Sequence, residues 1–181
     1  MKKEVEILVE VLEKKADAIK KISNLKFLGE KKVLDVYFFD PKRDDLKPDK
    51  NYQLKRCLRV RDKDGKSSVA YKVDHFNKKG IWLYSDEYEI EVSDFLNAVE
   101  VFKRLGFQEL IRIENIKSTF VNNEYEIVLE DVKNLGLFME VERHNVGEKE
   151  NILKVKKEIW SWIKKLNMKV SLELTMGKPE L

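Results

Sequence analysis

Acidic side chains two or four residues apart recur along this sequence, at Glu4 and Glu6, at Glu87, Glu89 and Glu91, at Glu126 and Glu130, and at Glu140 and Glu142. Basic ones do the same at Arg59 and Arg61. In a β-strand, residues at even spacing share one face, so each set concentrates like charge on one side of its strand. Carboxylates held that close repel unless a cation lies between them. Hard divalent cations such as Mg²⁺ and Mn²⁺ favour carboxylate oxygens. Phosphate oxygens favour arginine, which can bind two at once, and lysine as a point charge. Taken together, Glu4, Glu6, Glu130, Glu140 and Glu142, with Glu89 and Glu126 as further acids, and Arg59, Arg61, Lys72 and Lys117 as bases, suit a metal-bound polyphosphate. A single such pair is more simply a cross-strand ion pair on a solvated sheet. The whole set, segregated by parity on most strands, points instead to a closed sheet with a charged interior and an apolar outside covered by helices.

The elements that must position these residues follow from the spacing of the apolar ones. Residues 3–11 read as a first strand. Ala16, Ile19, Ile22 and Leu25 recur every three residues and predict a helix over 13–25, after which Gly29 permits a turn. Residues 30–40 are rich in Val, Tyr and Phe and read as a strand stopped by Pro41. Residues 42–51 are polar, contain Pro48 and read as a loop. Residues 54–61 and 67–73 flank Asp62-Lys63-Asp64-Gly65-Lys66, a hairpin signal. On the first arm Leu58 and Val60 oppose Arg59 and Arg61; on the second Val69, Tyr71 and Val73 oppose Ala70 and Lys72. Residues 83–92 continue the alternation. Ser93 reads as the cap of a helix whose apolar stripe is Phe95, Leu96, Val99, Phe102 and Leu105, ended by Gly106. Residues 107–121 read as a strand with a break near Glu114-Asn115. Asn122-Asn123 is a second tight-hairpin signal, since Asn tolerates the left-handed conformation. Residues 125–130 and 137–143 are two more strands and 148–166 a last helix, and the short apolar tail at 170–174 either adds an edge strand or packs on the mouth of the closed sheet. The expectation is an α+β chain of eight mainly antiparallel strands and three helices.

Composition narrows the class. The chain has 181 residues, enough for one domain with a substantial core. Its 36 basic and 33 acidic side chains leave a net charge of +3, too balanced for a bulk binder of nucleic acid. The one cysteine, Cys57, excludes an internal disulfide and a cysteine zinc cluster and suits a reducing cytoplasm. No apolar run approaches the roughly 20 residues of a membrane span, and no signal peptide is evident. The expected protein is cytoplasmic, without membrane or specific nucleic-acid partners. The seven glycines are scattered and form no phosphate loop, and the two histidines, His75 and His144, are far apart.

Five pieces, in order, resemble one family. Glu4-Val5-Glu6-Ile7-Leu8 is similar to a Glu-x-Glu-x-Lys strand, Asp35-Val36-Tyr37-Phe38 to Asp-x-Tyr-Phe, Leu58-Arg59-Val60-Arg61 to Leu-Arg-Ile-Arg, and Ala70-Tyr71-Lys72 to Thr-Tyr-Lys. Residues 129–142, Leu-Glu-Asp-Val-Lys-Asn-Leu-Gly-Leu-Phe-Met-Glu-Val-Glu, resemble Leu-Asp-x-Val-x-x-Leu-Gly-x-Phe-x-Glu-Ile-Glu. These are motifs of the CYTH superfamily, named for class IV adenylyl cyclases and thiamine triphosphatases, and the archaeal and thermophilic cyclase branch is the most similar. The resemblance implies a single domain over residues 1–181, core about 3–174, folded as an eight-stranded antiparallel β-barrel, the triphosphate tunnel, with about three helices outside. It implies Mg²⁺ or Mn²⁺ on Glu4, Glu6, Glu130, Glu140 and Glu142. It assigns the triphosphate to Arg59, Arg61, Lys72 and Lys117, and the catalytic roles to Glu4, Glu6 and Lys72. The substrate would be ATP, thiamine triphosphate or a similar small molecule, converted by cyclisation or hydrolysis, and a homodimer is compatible with it.

The sequence departs from the family at informative points. Leu8 stands where the family has a lysine, Asn115 replaces the first cation of a Lys-x-Arg whose arginine becomes Lys117, and Glu130 replaces an Asp. Two lost charge-assisted contacts, worth ~1.5–3 kcal/mol each, would weaken binding or turnover by orders of magnitude. The alternative expectation is therefore a non-catalytic binder of nucleotide or polyphosphate.

Overall fold

Alternation of apolar and charged residues produces strands wherever it persists for more than about four residues. A computed structural model of the protein describes residues 2–50, 54–78, 80, 82–147, 149–175 and 177–180. Asn51, at the end of the expected loop, and Glu148, at the start of the expected last helix, lie outside the described residues. In chain order the elements are β1 (Lys2–Glu4), β2 (Glu6–Glu10), α1 (Lys15–Lys21), β3 (Lys26–Phe39), β4 (Arg56–Lys63), β5 (Lys66–Phe76), β6 (Trp82–Val92), α2 (Phe95–Arg104), β7 (Gln108–Val121), β8 (Tyr125–Val132), β9 (Gly136–Arg143) and α3 (Ile152–Lys165). This is the expected α+β class, antiparallel strands with three helices. The first expected strand is interrupted at Val5, whose carbonyl accepts from the Arg143 N–H (3.1 Å), so that it counts as two.

The chain forms two compact units whose boundaries fall inside β3 and β7. The first is built mainly from Lys32–Glu114 and has the strand order β6-β5-β4-β3. Its apolar face joins Val36 and Phe38 of β3 to Leu58 and Val60 of β4, and α2 covers it through Val99 and Phe102. The Phe38 and Phe102 rings lie 5.5 Å apart, and Phe102 meets Phe107 edge-on at 5.6 Å. Asp94, not Ser93, caps α2: its carboxylate accepts from the Asn97 N–H at 2.9 Å. The second unit is built from Lys3–Lys31 and Asn115–Thr175 and has the order β7-β8-β9-β2. Here Ile7, Val9, Ile127, Leu129, Met139 and Val141 are buried on one face, and α3, which packs on β2 and β9, adds Val155, Ile159 and Ile163.

Other local expectations change for local reasons. Gly29 does not turn the chain; it sits inside β3 at φ 130°. The first helix is shorter than its apolar period, ending at Lys21. Residues 108–121 form one unbroken strand across Glu114-Asn115. The Asp64-Gly65 hairpin is as expected, with φ 51° and 79°. Asn122 acts differently, with its side-chain Oδ1 accepting from the N–H groups of Glu124 (2.8 Å) and Tyr125 (2.7 Å). The tail at 170–174 makes a bridge from Val170 to Val11, and Leu174 N–H donates to the Leu8 carbonyl.

Candidate functional site

In the first unit, pairing register assembles the basic residues. Arg61 of β4 lies opposite Asp35 of β3 and Ser68 of β5; Arg59 lies opposite Tyr37 and Ala70; Cys57 lies opposite Lys72. On β6, Glu87 lies opposite Lys72 and Glu89 opposite Ala70. Directly opposite residues share a face, so Arg59, Arg61 and Lys72 form one cationic group on the face turned away from the α2 core. Carboxylates hold it in place. Asp35, 1% exposed, takes two hydrogen bonds from Arg61, at 2.7 and 2.8 Å. Glu87 Oε1 lies 3.3 Å from Arg59 and 3.4 Å from Lys72, and Glu89 lies 3.9 Å from Arg59. Burial disfavours charge on Arg59, but Asp35, Tyr37 and Glu87 more than offset it and raise the guanidinium above its ordinary pKa. Burial and the Arg59 charge likewise oppose Arg61, and the Asp35 hydrogen bond still raises it. Cys57, beyond Arg59 on the same face and opposite Lys72, is pushed up to about 12 by burial, which leaves its thiol protonated and unreactive.

In the second unit the register assembles acids. Glu142 of β9 lies opposite Glu6 of β2 on one side and opposite Glu126 of β8 on the other. Glu140 lies opposite Leu8 and Val128, and Lys117 of β7 lies opposite Glu130. Lys117 Nζ is 2.6 Å from Glu130 Oε1 and 3.8 Å from Glu140 Oε2. Asn115 donates to Glu130 from its Nδ2 at 3.3 Å, while its own buried Oδ1 has no hydrogen-bond partner among the described residues. A neutral side chain at 115 thus supplies a donor to Glu130 without adding a second cation next to Lys117. Leu8 is 2% exposed on the acidic face of β2, opposite Glu140. Glu4 is buried in β1, on the far side of Val5 from Glu6.

The row Glu126–Glu142–Glu6 bears on whether a metal fits. Three carboxylates directly opposite one another on adjacent strands raise each other's energy, and a hard divalent cation between them reverses that. Oxygen donors alone suit Mg²⁺ or Mn²⁺ better than a softer ion. Among the described residues no three acidic, His or Cys groups already form a closed cage, so the row supplies donors rather than a finished coordination sphere.

Sequence reasoning identified the cations but not what holds them. Asp35 stood in a recognised stretch without a role, and Glu87 was one of three acids on a strand. The signal lay in register, which places Asp35 opposite Arg61 and Glu87 opposite Lys72. Glu126, only a further acid in the sequence, is a full member of the acidic row. At the chain's end the Glu180 carboxyl is raised to about 7, chiefly by burial, although Leu54 N–H and Gly177 N–H donate to it.

Residues 2–172 match the family profile described as CYTH domain. A protein of Methanocaldococcus jannaschii, provisionally named an adenylate cyclase, is 33% identical over 169 residues, covering 91% of this chain and 90% of that one. Among solved structures, a protein of Pyrococcus horikoshii is 28% identical with a TM-score of 0.73, over 95% of this chain and 96% of its own. A conserved hypothetical protein of Pyrococcus furiosus, 24% identical, gives a TM-score of 0.75 over 97% and 99%. At that last identity the likeness speaks for the fold alone.

Proposed function

We propose, since this chain belongs to the CYTH domain family, that it is a divalent-metal-dependent enzyme acting on a nucleoside or other organic triphosphate. The observation that carries this reading is the group Arg59, Arg61 and Lys72, brought onto one face by register and held in place by Asp35 and Glu87. Three cations on adjacent strands, two of them planar guanidinium groups, match a chain of phosphates better than any neutral ligand.

In this reading Arg59, Arg61, Lys72 and Lys117 bind the phosphates and keep the reacting group in line. Glu4, Glu6, Glu130, Glu140 and Glu142 hold Mg²⁺ or Mn²⁺, with Glu126 contributing to the same acidic row. The cation supplies charge neutralisation on the transferring phosphoryl group. Glu4, Glu6 and Lys72 are the residues assigned to catalysis. Two reactions are compatible with these roles: cyclisation of ATP to cyclic AMP and pyrophosphate, as the name of the M. jannaschii relative suggests, and hydrolysis of the triphosphate. No described helix is long and apolar enough to cross a membrane. A second reading, binding without turnover, is favoured by the apolar Leu8 buried on the acidic face and by Asn115, neutral beside Lys117.

The test is a panel of ATP, GTP, thiamine triphosphate and inorganic triphosphate, each with Mg²⁺ or Mn²⁺, with products separated by chromatography. Cyclic nucleotide with pyrophosphate establishes a cyclase, and phosphate without cyclic product a triphosphatase. Tight binding with no product from any substrate replaces the enzyme reading with the binder.

A further inference from the structure

The second unit holds a buried polar atom that the proposed function does not use. Asn115 is 5% exposed, and its Oδ1 has no hydrogen-bond partner among the described residues. Buried polar groups are nearly always satisfied, by protein, water or a bound ion, because leaving one unmatched costs stability. Turning the amide over does not relieve this. Its Nδ2 donates to Glu130 Oε2 at 3.3 Å, and exchanging its two ends would set oxygen against a carboxylate.

The charges beside the amide tell what kind of partner fits. Asn115 and Lys117 are two residues apart on β7 and share a face, with Lys117 opposite Glu130 of β8. Lys117 Nζ lies 2.6 Å from Glu130 Oε1 and 3.8 Å from Glu140 Oε2. The Glu130 side chain is 0% exposed and that of Glu140 19%. Of these four side chains one is cationic, two are anionic and the amide is neutral. A water molecule would donate to Oδ1 but bring no charge to the group. A divalent cation would stand beside the Lys117 ammonium and meet twice the repulsion that a singly charged one does. A carbonyl oxygen next to carboxylate oxygens is a donor set for an alkali cation, and K⁺ is held elsewhere by carbonyl oxygens that replace its water shell. The acidic row at Glu142 lies two residues, about 7 Å, further along β9 than Glu140, and is a separate position.

We propose that Asn115 Oδ1, with carboxylate oxygens of Glu130 and Glu140, binds a singly charged cation of the K⁺ class beside Lys117. The ion adds to the divalent metal of the proposed function, and its binding does not depend on a triphosphate.

Thermal denaturation of the full chain alone tests this, with K⁺ replacing tetramethylammonium stepwise at constant ionic strength. The natural protein is expected to show a saturating rise in Tm of roughly 3–6 °C, the effect in a chain of this length of an ion at about ten times its Kd. Asn115→Lys supplies its own ammonium and is expected to show no rise. Asn115→Asp replaces the carbonyl by a full charge and is expected to show a larger one. A misfolded variant cannot produce that opposite pair. Asn115→Leu removes Oδ1 without adding charge; it is expected to be flat and serves where a charged variant fails to fold. The site is overturned if K⁺ leaves the natural Tm unchanged, which would leave water as the partner of Oδ1. It is equally overturned if K⁺ raises all the variants alike, or if Mg²⁺ produces the rise and K⁺ does not.

Discussion

Arg59→Ala is expected to weaken binding of Mg²⁺-triphosphate by ~10- to 150-fold while the protein remains folded. Each charge-assisted hydrogen bond lost to a phosphate is worth ~1.5–3 kcal/mol, and one tenfold change is about 1.4 kcal/mol. Arg59 is the central member of the cationic group, between Arg61 and Lys72, and is approached by three carboxylates at 3.3 to 3.9 Å. Those carboxylates keep it charged and also compete with phosphate for it, so the measured loss should fall toward the lower end. Arg59→Lys keeps the charge but not the planar fork, and an intermediate loss is expected. Arg61 is a less clean probe. It donates two hydrogen bonds to Asp35, which is 1% exposed, so its removal takes two charged donors from a buried carboxylate and lowers stability as well as affinity. Calorimetry on Arg59→Ala and Arg59→Lys, with circular dichroism to establish folding, checks the expectation. Unchanged affinity in a folded Arg59→Ala protein would remove Arg59 from the phosphate site.

The largest stability effect is expected at Lys117. Its ammonium lies 2.6 Å from the carboxylate of Glu130, whose side chain is 0% exposed. Removing one partner of a buried ion pair costs about 3–5 kcal/mol, because the other charge stays out of water without it. For a chain of this length 1 kcal/mol corresponds to ~2–4 °C in Tm, so Lys117→Met should lower Tm by roughly 10 °C. Replacing both partners, Lys117→Met with Glu130→Gln, leaves Asn115 beside a neutral amide and is expected to recover most of that loss. Thermal denaturation of the single and double variants decides the matter. A single variant as stable as the natural protein would mean that the pair contributes little. A double variant no better than the single would mean that Lys117 acts through Glu140, 3.8 Å away, and not through Glu130.

What the sequence disclosed, and what it withheld, follows from the range of each interaction. The alternation of Leu58 and Val60 with Arg59 and Arg61 is local, and it correctly separates the α2 core from the charged face. The last two strands behave the same way: Met139 and Val141 are buried while Glu140 and Glu142 share the other face. Register between strands is not local. Asp35 meets Arg61 only because of how the chain returns from β3 to β4, across a polar stretch with no periodic signal. The row of Glu126, Glu142 and Glu6 likewise depends on register, in the β8–β9 pair and in the pairing of β2 with β9, which lie more than a hundred residues apart in sequence. Both hairpins were legible, Asp64-Gly65 with its positive φ and Asn122-Asn123 between β7 and β8, but at Asn122 the side chain closes the turn where a left-handed backbone was expected. The interruption at Val5 left no mark in the apolar pattern, because Val5 is itself fully buried.

The most direct measurement is a calorimetric titration of the natural protein with inorganic triphosphate, once in excess Mg²⁺ and once in EDTA. The proposed function assigns the phosphates to the cations and Mg²⁺ to the acids, and it predicts saturable binding in Mg²⁺ and at least tenfold weaker binding when the metal is removed, the loss of about one charge-assisted contact. No binding in Mg²⁺, or the same affinity in EDTA, would contradict it.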